Sequence, residues 1–258
     1  MTRAITQSFV LAGRTFNHWR AQPVPFLVNL LFPTLVLLMM GGLLGGAIAG
    51  DLPTYFWYAV PGVLAVAMLF GLEGTMLAIT TDAKNAITDR LRSLPISGAA
   101  VPAGRCLADM AASLLALATT CTAGLLMGWR PGRWTGLVEA ALVLLAFRFA
   151  LLWLGLFAGL RATSPEVVVA VQILVWPISM LSSVFVDPAT MPRWLGAVAE
   201  WNPLSAAANA VRELTGSPTF TSTTWAGQHA IMLSLVASGV VTAVFAPLAV
   251  RAYRNLDA

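Results

Sequence analysis

At 258 residues the chain is 58% apolar and only 10% charged, with a mean hydropathy of +0.80. Water-soluble domains carry about 25% charged residues, so composition excludes that class and leaves a membrane protein. The net charge of +4 is no nucleic-acid footprint: the basic residues stand in short clusters beside apolar segments, as membrane topology requires, and no nucleic-acid partner is expected.

Residues 3–20 place Ile5, Phe9, Ala12, Phe16 and Trp19 on one helical face, with Arg3, Gln7, Arg14 and Asn17 mostly elsewhere. That pattern predicts an amphipathic helix in the inner membrane interface, in contact with lipid; its Trp and Arg content favours this over a helix packed on cytoplasmic protein. The first apolar run begins near Phe26 without a small-residue cleavage site, so no signal peptide is read.

Crossing the hydrocarbon as a helix takes about 20 apolar residues. Six segments meet that length: 26–49, 56–80, 103–128, 136–160, 166–186 and 228–250. The expected fold class is therefore all-α, a single polytopic domain over 1–258 with six spans. Nothing reads as alternating strand.

The first span ends in a glycine run in which Gly42, Gly46 and Gly50 recur every four residues. Small residues at that spacing admit close helix approach, either within the chain or between subunits. Tyr55-Phe56-Trp57-Tyr58 suits an outer aromatic belt. Glu73 falls about two turns from the inner end of the second span. The loop that follows, 81–102, contains a short helical face of Ile87, Leu91 and Leu94 among Asp89, Arg90 and Arg92, stopped by Pro95. Apolar knobs in so charged a setting predict a docking element on the cytoplasmic side.

The third span carries Cys106 and Cys121, about four turns apart and so unable to pair within one helix, and Asp109 near its inner end. The fourth carries Glu139 at its outer end and Arg148 near its middle. A central arginine costs about 2.5–3.5 kcal/mol on insertion scales and must face protein or water. A structural ion pair with Glu73 or Asp109 is favoured over a cavity charge that contacts an anionic substrate. The fifth span holds Pro177. The external stretch 187–227 contains two apolar-leaning pieces near 190–200 and 204–215, split by Asn202-Pro203. Each is about 11 residues, or ~16 Å as helix, too short to cross. Two short helices that dip into the outer leaflet or cap the spans are expected.

With six spans both termini share a side. Arg3, Arg14, Arg20, Lys84, Arg90, Arg92, Arg105, Arg161, Arg251 and Arg254 fall there, against Arg130, Arg133, Arg193 and Arg212 opposite. The excess places both termini in the cytoplasm.

No H-E-x-x-H, G-x-S-x-G or G-x-x-x-x-G-K-[ST] string occurs, so no catalytic, metal or nucleotide-binding site is expected in this chain. His18 and His229 read as interface residues. Mid-membrane carboxylates, which an ion-coupled carrier needs, are missing apart from the off-centre Glu73.

Residues 89–97 read Asp-Arg-Leu-Arg-Ser-Leu-Pro-Ile-Ser and are followed by Gly104-Arg105 and Asp109. This block resembles the permease subunits of type 2 ABC exporters, and looks closest to the daunorubicin/doxorubicin-resistance branch. A second match lies in Pro188, Met191-Pro192-Arg193-Trp194, Trp201-Asn202-Pro203-Leu204 and Arg212-Glu213. The resemblance implies that 84–97, with Lys84, Ile87, Asp89, Arg90, Leu91, Arg92, Leu94 and Pro95, is the coupling helix seated in a separate ATPase subunit. It implies that 3–20 is an interfacial connecting helix, and that the pieces bearing Pro192, Trp194, Asn202, Pro203 and Arg212 are re-entrant. The implied assembly is two permeases, identical or paralogous, with two ATPases that hold ATP and Mg, in the plasma membrane. Spans one, two and five line the path between the permeases. The implied cargo is a hydrophobic drug or antibiotic; lipid, glycolipid or polysaccharide export is the alternative, and an ion-coupled secondary transporter a more distant one.

Overall fold

The computed structural model describes residues 2–49, 52–85, 87, 100–162, 164–220, 222 and 224–254. In chain order the helices are α1 (Thr2–Ala21), α2 (Pro23–Ala49), α3 (Leu52–Lys84), α4 (Ala100–Leu126), α5 (Gly136–Arg161), α6 (Pro165–Met180), α7 (Arg193–Trp201), α8 (Pro203–Thr215), α9 (Trp225–Gln228) and α10 (Ala230–Arg254), with a single 3-10 turn at Pro188–Thr190. No strand occurs among the described residues. Among the described residues five helical stretches are long and apolar enough to cross a membrane: Pro23–Leu43, Thr54–Lys84, Ala100–Leu126, Gly136–Arg161 and Ala230–Tyr253.

The remaining predicted span, 166–186, is helical only to Met180. Sixteen residues rise about 24 Å, short of a ~30 Å hydrocarbon layer. After Pro177 the Leu181 N–H still reaches the Pro177 carbonyl at 2.8 Å. From there the backbone leaves the helix and runs irregularly to the turn at Pro188–Thr190.

α3 is the hub. It packs against α2, α4, α5, α6 and α8, and its middle is small and apolar: Ala59, Val60, Val63, Ala65, Val66 and Met68 have no exposed surface. In hydrocarbon the hydrophobic effect does not bring helices together; close packing and polar contacts do. α2 and α10 lie at the periphery and expose Leu31, Leu35 and Met39, and Leu235, Val236 and Val240, the chemistry a lipid-facing surface needs.

The predicted apolar face of α1 is divided. α1 packs on α4, where an added Cβ at Gly104 meets the Ser8 carbonyl and Leu11 Cβ, each at 2.8 Å. So close an approach selects small residues, and Ser8 and Ala12 are the buried ones, while Phe9 stays 63% exposed and Phe16 38%. Trp19 stacks on Phe26 at the turn into α2. The side chains of Arg3 and Ile5 lie outside the described residues.

Candidate functional site

Among the described residues, two buried clusters built around arginines and one carboxyl group apart from them stand out in a largely apolar bundle. The first cluster joins α3, α4 and α5. Arg105 grips Asp109 one turn further along α4 with two nitrogens: Nε to Oδ2 at 3.0 Å and Nη2 to Oδ1 at 2.9 Å. Arg148 of α5 approaches the same carboxylate, Nη2 to Oδ2 at 3.7 Å. The Thr75 hydroxyl of α3 donates to Asp109 Oδ2 at 2.7 Å and accepts from Arg148 Nη2 at 2.8 Å. Ser113 accepts from Arg148 Nε at 3.0 Å and donates to the Asp109 carbonyl at 2.8 Å.

Arg148 is 2% exposed and Asp109 5%. The arginine braces three helices and is closed off from the surface, and among the described residues its Nη1 has no hydrogen-bond partner. Room for the guanidinium comes from Gly71, where an added Cβ would sit 2.5 Å from Arg148 Nε and 2.7 Å from Cζ. Gly71→Val is expected to force the guanidinium off Asp109 and cost about 2–3 kcal/mol, read as a lower melting temperature of the detergent-solubilised protein; Gly74→Ala, which meets nothing within 4 Å, is the control with little change.

The second cluster repairs the broken end of α6. Asn202, between α7 and α8, donates its amide to the carbonyls of Ile178 at 3.1 Å and Leu181 at 2.8 Å, while its oxygen caps α8 by accepting from Leu204 N at 2.9 Å. Ser205 accepts from the Ser183 N–H at 2.8 Å. Tyr58 of α3 donates to the Ser183 carbonyl. Arg212 closes the set: Nη2 reaches the Val184 carbonyl at 3.1 Å, Nε and Nη2 the Tyr58 carbonyl at 3.3 Å, and Nη1 Asn209 Oδ1 at 2.7 Å. Its Cζ lies 3.9 Å from the Tyr58 ring centre. Sequence analysis set Arg212 among the external charges; the structure buries it completely. The reason is that irregular backbone away from water must find donors and acceptors within the protein, and Arg carries five donors in one fork.

The isolated carboxyl is Glu73. It lies apart from Arg148 and Asp109 and is half-buried, as is Gln172 of α6. Next to it, Phe32 of α2, Phe70 of α3 and Trp176 of α6 form a ring cluster, with centroid distances of 5.0 Å for Phe32–Phe70, 5.6 Å for Phe70–Trp176 and 6.2 Å for Phe32–Trp176.

Lys84 belongs to the last turn of α3 rather than to a separate helix, and Arg14 of α1 ion-pairs with Asp82 at 3.7 Å. Ile87 is helical and half-buried; Asp89, Arg90, Leu91, Arg92, Leu94 and Pro95 lie outside the described residues. In the glycine run it is Gly41 that meets Phe56 inside the chain, while a Cβ at Gly42 meets nothing within 4 Å; Gly46 is helical and Gly50 lies outside the described residues. At the opposite end of the bundle Pro192 precedes α7 and Pro203 opens α8. Trp194 is 71% exposed, and Trp201, Trp225 and His229 stack in series. A cavity of about 200 Å³ has Asp187, Glu200, Asn209, Glu213 and Phe220 in its lining. Among the described residues no group of three or more His, Cys, Asp or Glu side chains is placed to hold a metal ion.

Sequence reading missed Thr75, Ser113, Tyr58, Ser205 and Asn209. The available signal was spacing: Gly71 and Thr75, and Asp109 and Ser113, each lie four apart on one helix face, yet Ser and Thr are common in spans and say nothing alone.

Residues 6–215 match the ABC-2 type transporter family. Over 253 residues, 95% of this chain and 87% of the relative, the chain is 38% identical to a daunorubicin resistance ABC transporter permease protein of Streptomyces coeruleorubidus.

Proposed function

The chain belongs to the ABC-2 type transporter family, and from that premise we propose that it is the membrane-spanning subunit of an ATP-driven exporter that moves a hydrophobic drug or antibiotic out of the cell. The observation that carries the cargo class is the 38% identity, across 95% of the chain, to a permease named for daunorubicin resistance. The ATPase is a separate subunit, present in two copies and holding ATP and Mg, since this sequence has no phosphate-binding loop. Two permeases, the same or paralogous, complete the unit. The open face at Gly42 is the kind of surface a second permease helix approaches closely.

In this reading the plasma membrane is crossed six times. α6 makes the fifth crossing, completed by the stretch 181–186, in which Ser182 to Phe185 are buried, and both termini are cytoplasmic. α1 lies in the inner interface, with Phe9 and Phe16 toward lipid. α7 and α8 enter the outer leaflet, and the exposed rings of Trp194 and Trp201 suit that depth. The 84–97 segment docks into the ATPase. ATP binding closes the two ATPases, the docking segment moves with them, and the permease pair passes from inward- to outward-open; the shift is as large as the difference in ATP affinity between the two states.

The test is the docking face. Ile87→Asp or Leu91→Asp, co-expressed with the ATPase, is expected to leave basal hydrolysis in place while drug stimulation and export fall about tenfold or more. Full stimulated hydrolysis together with full export by either variant would overturn the docking assignment.

A further inference from the structure

The last turns of α5 and α10 make a basic corner. The two helices run parallel and in step: Val143 clusters with Ala230, and the Phe157 and Phe245 rings meet with centroids 5.6 Å apart. One to two turns further on, Arg161 of α5 and Arg251 of α10 therefore stand at the same end. Arg161 continues the row of Val143 and Phe157 through which α5 meets α10, and its Cζ lies 5.8 Å from the Phe157 ring centre. Both arginines are exposed. Ion pairs among the described residues engage Arg14, Arg105, Arg133 and Arg148, and neither Arg161 nor Arg251. Glu166, the carboxyl that follows Arg161 in the chain, lies in the field of Lys84.

The surface beside this corner says what covers it. α10 is the least buried of the five long apolar helices, and Val236, Val240 and Val244 form an exposed stripe along it. At 3.6 residues per turn Arg251 falls within the arc of that stripe. From Val240 to Arg251 the helix rises about 16 Å, close to one leaflet's ~15 Å share of a hydrocarbon layer ~30 Å thick. An apolar strip one leaflet deep, ended by one cation with a second in the adjoining seam, complements a molecule that is apolar over that depth and anionic at its tip. Basic sites between membrane helices take lipid phosphates in this way.

We propose that Arg161 and Arg251 hold the phosphate of an anionic phospholipid whose acyl chain lies along Val244, Val240 and Val236. Each guanidinium presents paired donors that match phosphate oxygens. Two of them repel the ammonium of a zwitterionic headgroup, so the corner selects an anionic lipid over phosphatidylcholine. The lipid is a resident of the outer face of the α5–α10 pair. The inference rests on the membrane crossings proposed above for α5 and α10, and not on the cargo.

The test places the permease with its ATPase in phosphatidylcholine nanodiscs that contain a trace of phosphatidylglycerol with a diazirine in its acyl chain. Photolysis followed by peptide mapping is expected to find the label on α10 between Val236 and Val244. The double variant Arg161→Gln/Arg251→Gln lowers that label about tenfold. Arg20→Gln, at another exposed arginine, leaves it unchanged, and the same probe built on phosphatidylcholine labels all three proteins weakly and alike. Equal α10 labelling by the two lipids in wild type, an undiminished label in the double variant, or an equal loss with Arg20→Gln overturns the site. Labelling that appears only when the ATPase is left out assigns the arginines to that subunit, and labelling abolished by glycerol 3-phosphate assigns them to a soluble anion; either overturns it too. Label from neither lipid on α10 removes the crossing itself, whereas none of these readouts depends on drug export.

Discussion

Arg212→Met is expected to destabilise the permease by about 3–5 kcal/mol, a large fraction of the 5–15 kcal/mol that holds a typical domain together. The methionine fills much of the volume but donates nothing. The carbonyls of Val184 and Tyr58 and the side-chain oxygen of Asn209 all lose a charged donor; Asn209 keeps the Ser183 hydroxyl, and a buried acceptor that is left alone costs about 1–3 kcal/mol. The stack on the Tyr58 ring disappears as well. Arg212→Lys keeps the charge, yet one ammonium cannot replace a planar fork that spans two helices and a loop; a loss of about 2 kcal/mol is expected. Melting of the detergent-solubilised protein gives the order wild type, Lys, Met. A melting curve for Arg212→Met that overlays wild type would show that the 181–186 backbone has other donors.

Removing Asp109 is the second large effect, and it is asymmetric. Asp109→Ala strips from two arginines the only carboxylate they meet among the described residues, one of the two being 2% exposed, and is expected to cost about 3–5 kcal/mol. Arg148→Met is milder, about 1–2 kcal/mol, because Asp109 keeps both contacts to Arg105 and its hydrogen bond from Thr75. Combined, the two changes cost less than their sum by about 1–3 kcal/mol, as for any pair in direct contact. Stability of the four proteins in one detergent measures this cycle. Normal yield and melting of Arg148→Met with transport abolished would instead assign Arg148 to the transport path.

How much of this was legible in the residues follows from what each signal measures. Span length and hydropathy locate α2 to α5 and α10 because both report one quantity, the cost of polar backbone in lipid. α6 escaped them: the apolar run 166–186 continues past the helix, since Leu181, Val184 and Phe185 are as apolar as any span while their backbone is bonded sideways to Asn202, Ser205 and Arg212. Those partners come 20 to 30 residues later, beyond the reach of a local pattern. The pair Asn202-Pro203 did divide the external stretch where α7 meets α8, because Asn caps and Pro at the first helical position act locally. Arg148 was recognised as needing a partner, and Asp109 and Glu73 were the candidates; choosing between them takes the rotation of α3 and α4, which no single helix encodes. α1 was read as one apolar face, but Gly104 on another helix decides which half of that face turns inward.

The dependence of residues 178–184 on side chains at 202–212 also sets an order of events during synthesis. At about 5–20 residues per second, the end of α6 leaves the ribosome on the order of seconds before Asn202, Ser205 and Arg212 exist to receive it. During that interval the carbonyls of Ile178, Leu181 and Val184 lack the side-chain donors that serve them in the finished fold, so the newly made segment waits where water can serve them instead. It takes its final depth only with the α7–α8 pair. The permease is thereby committed from both sides of this segment, and a chain that stops short of α8 presents the cell with an unfinished helix to be cleared.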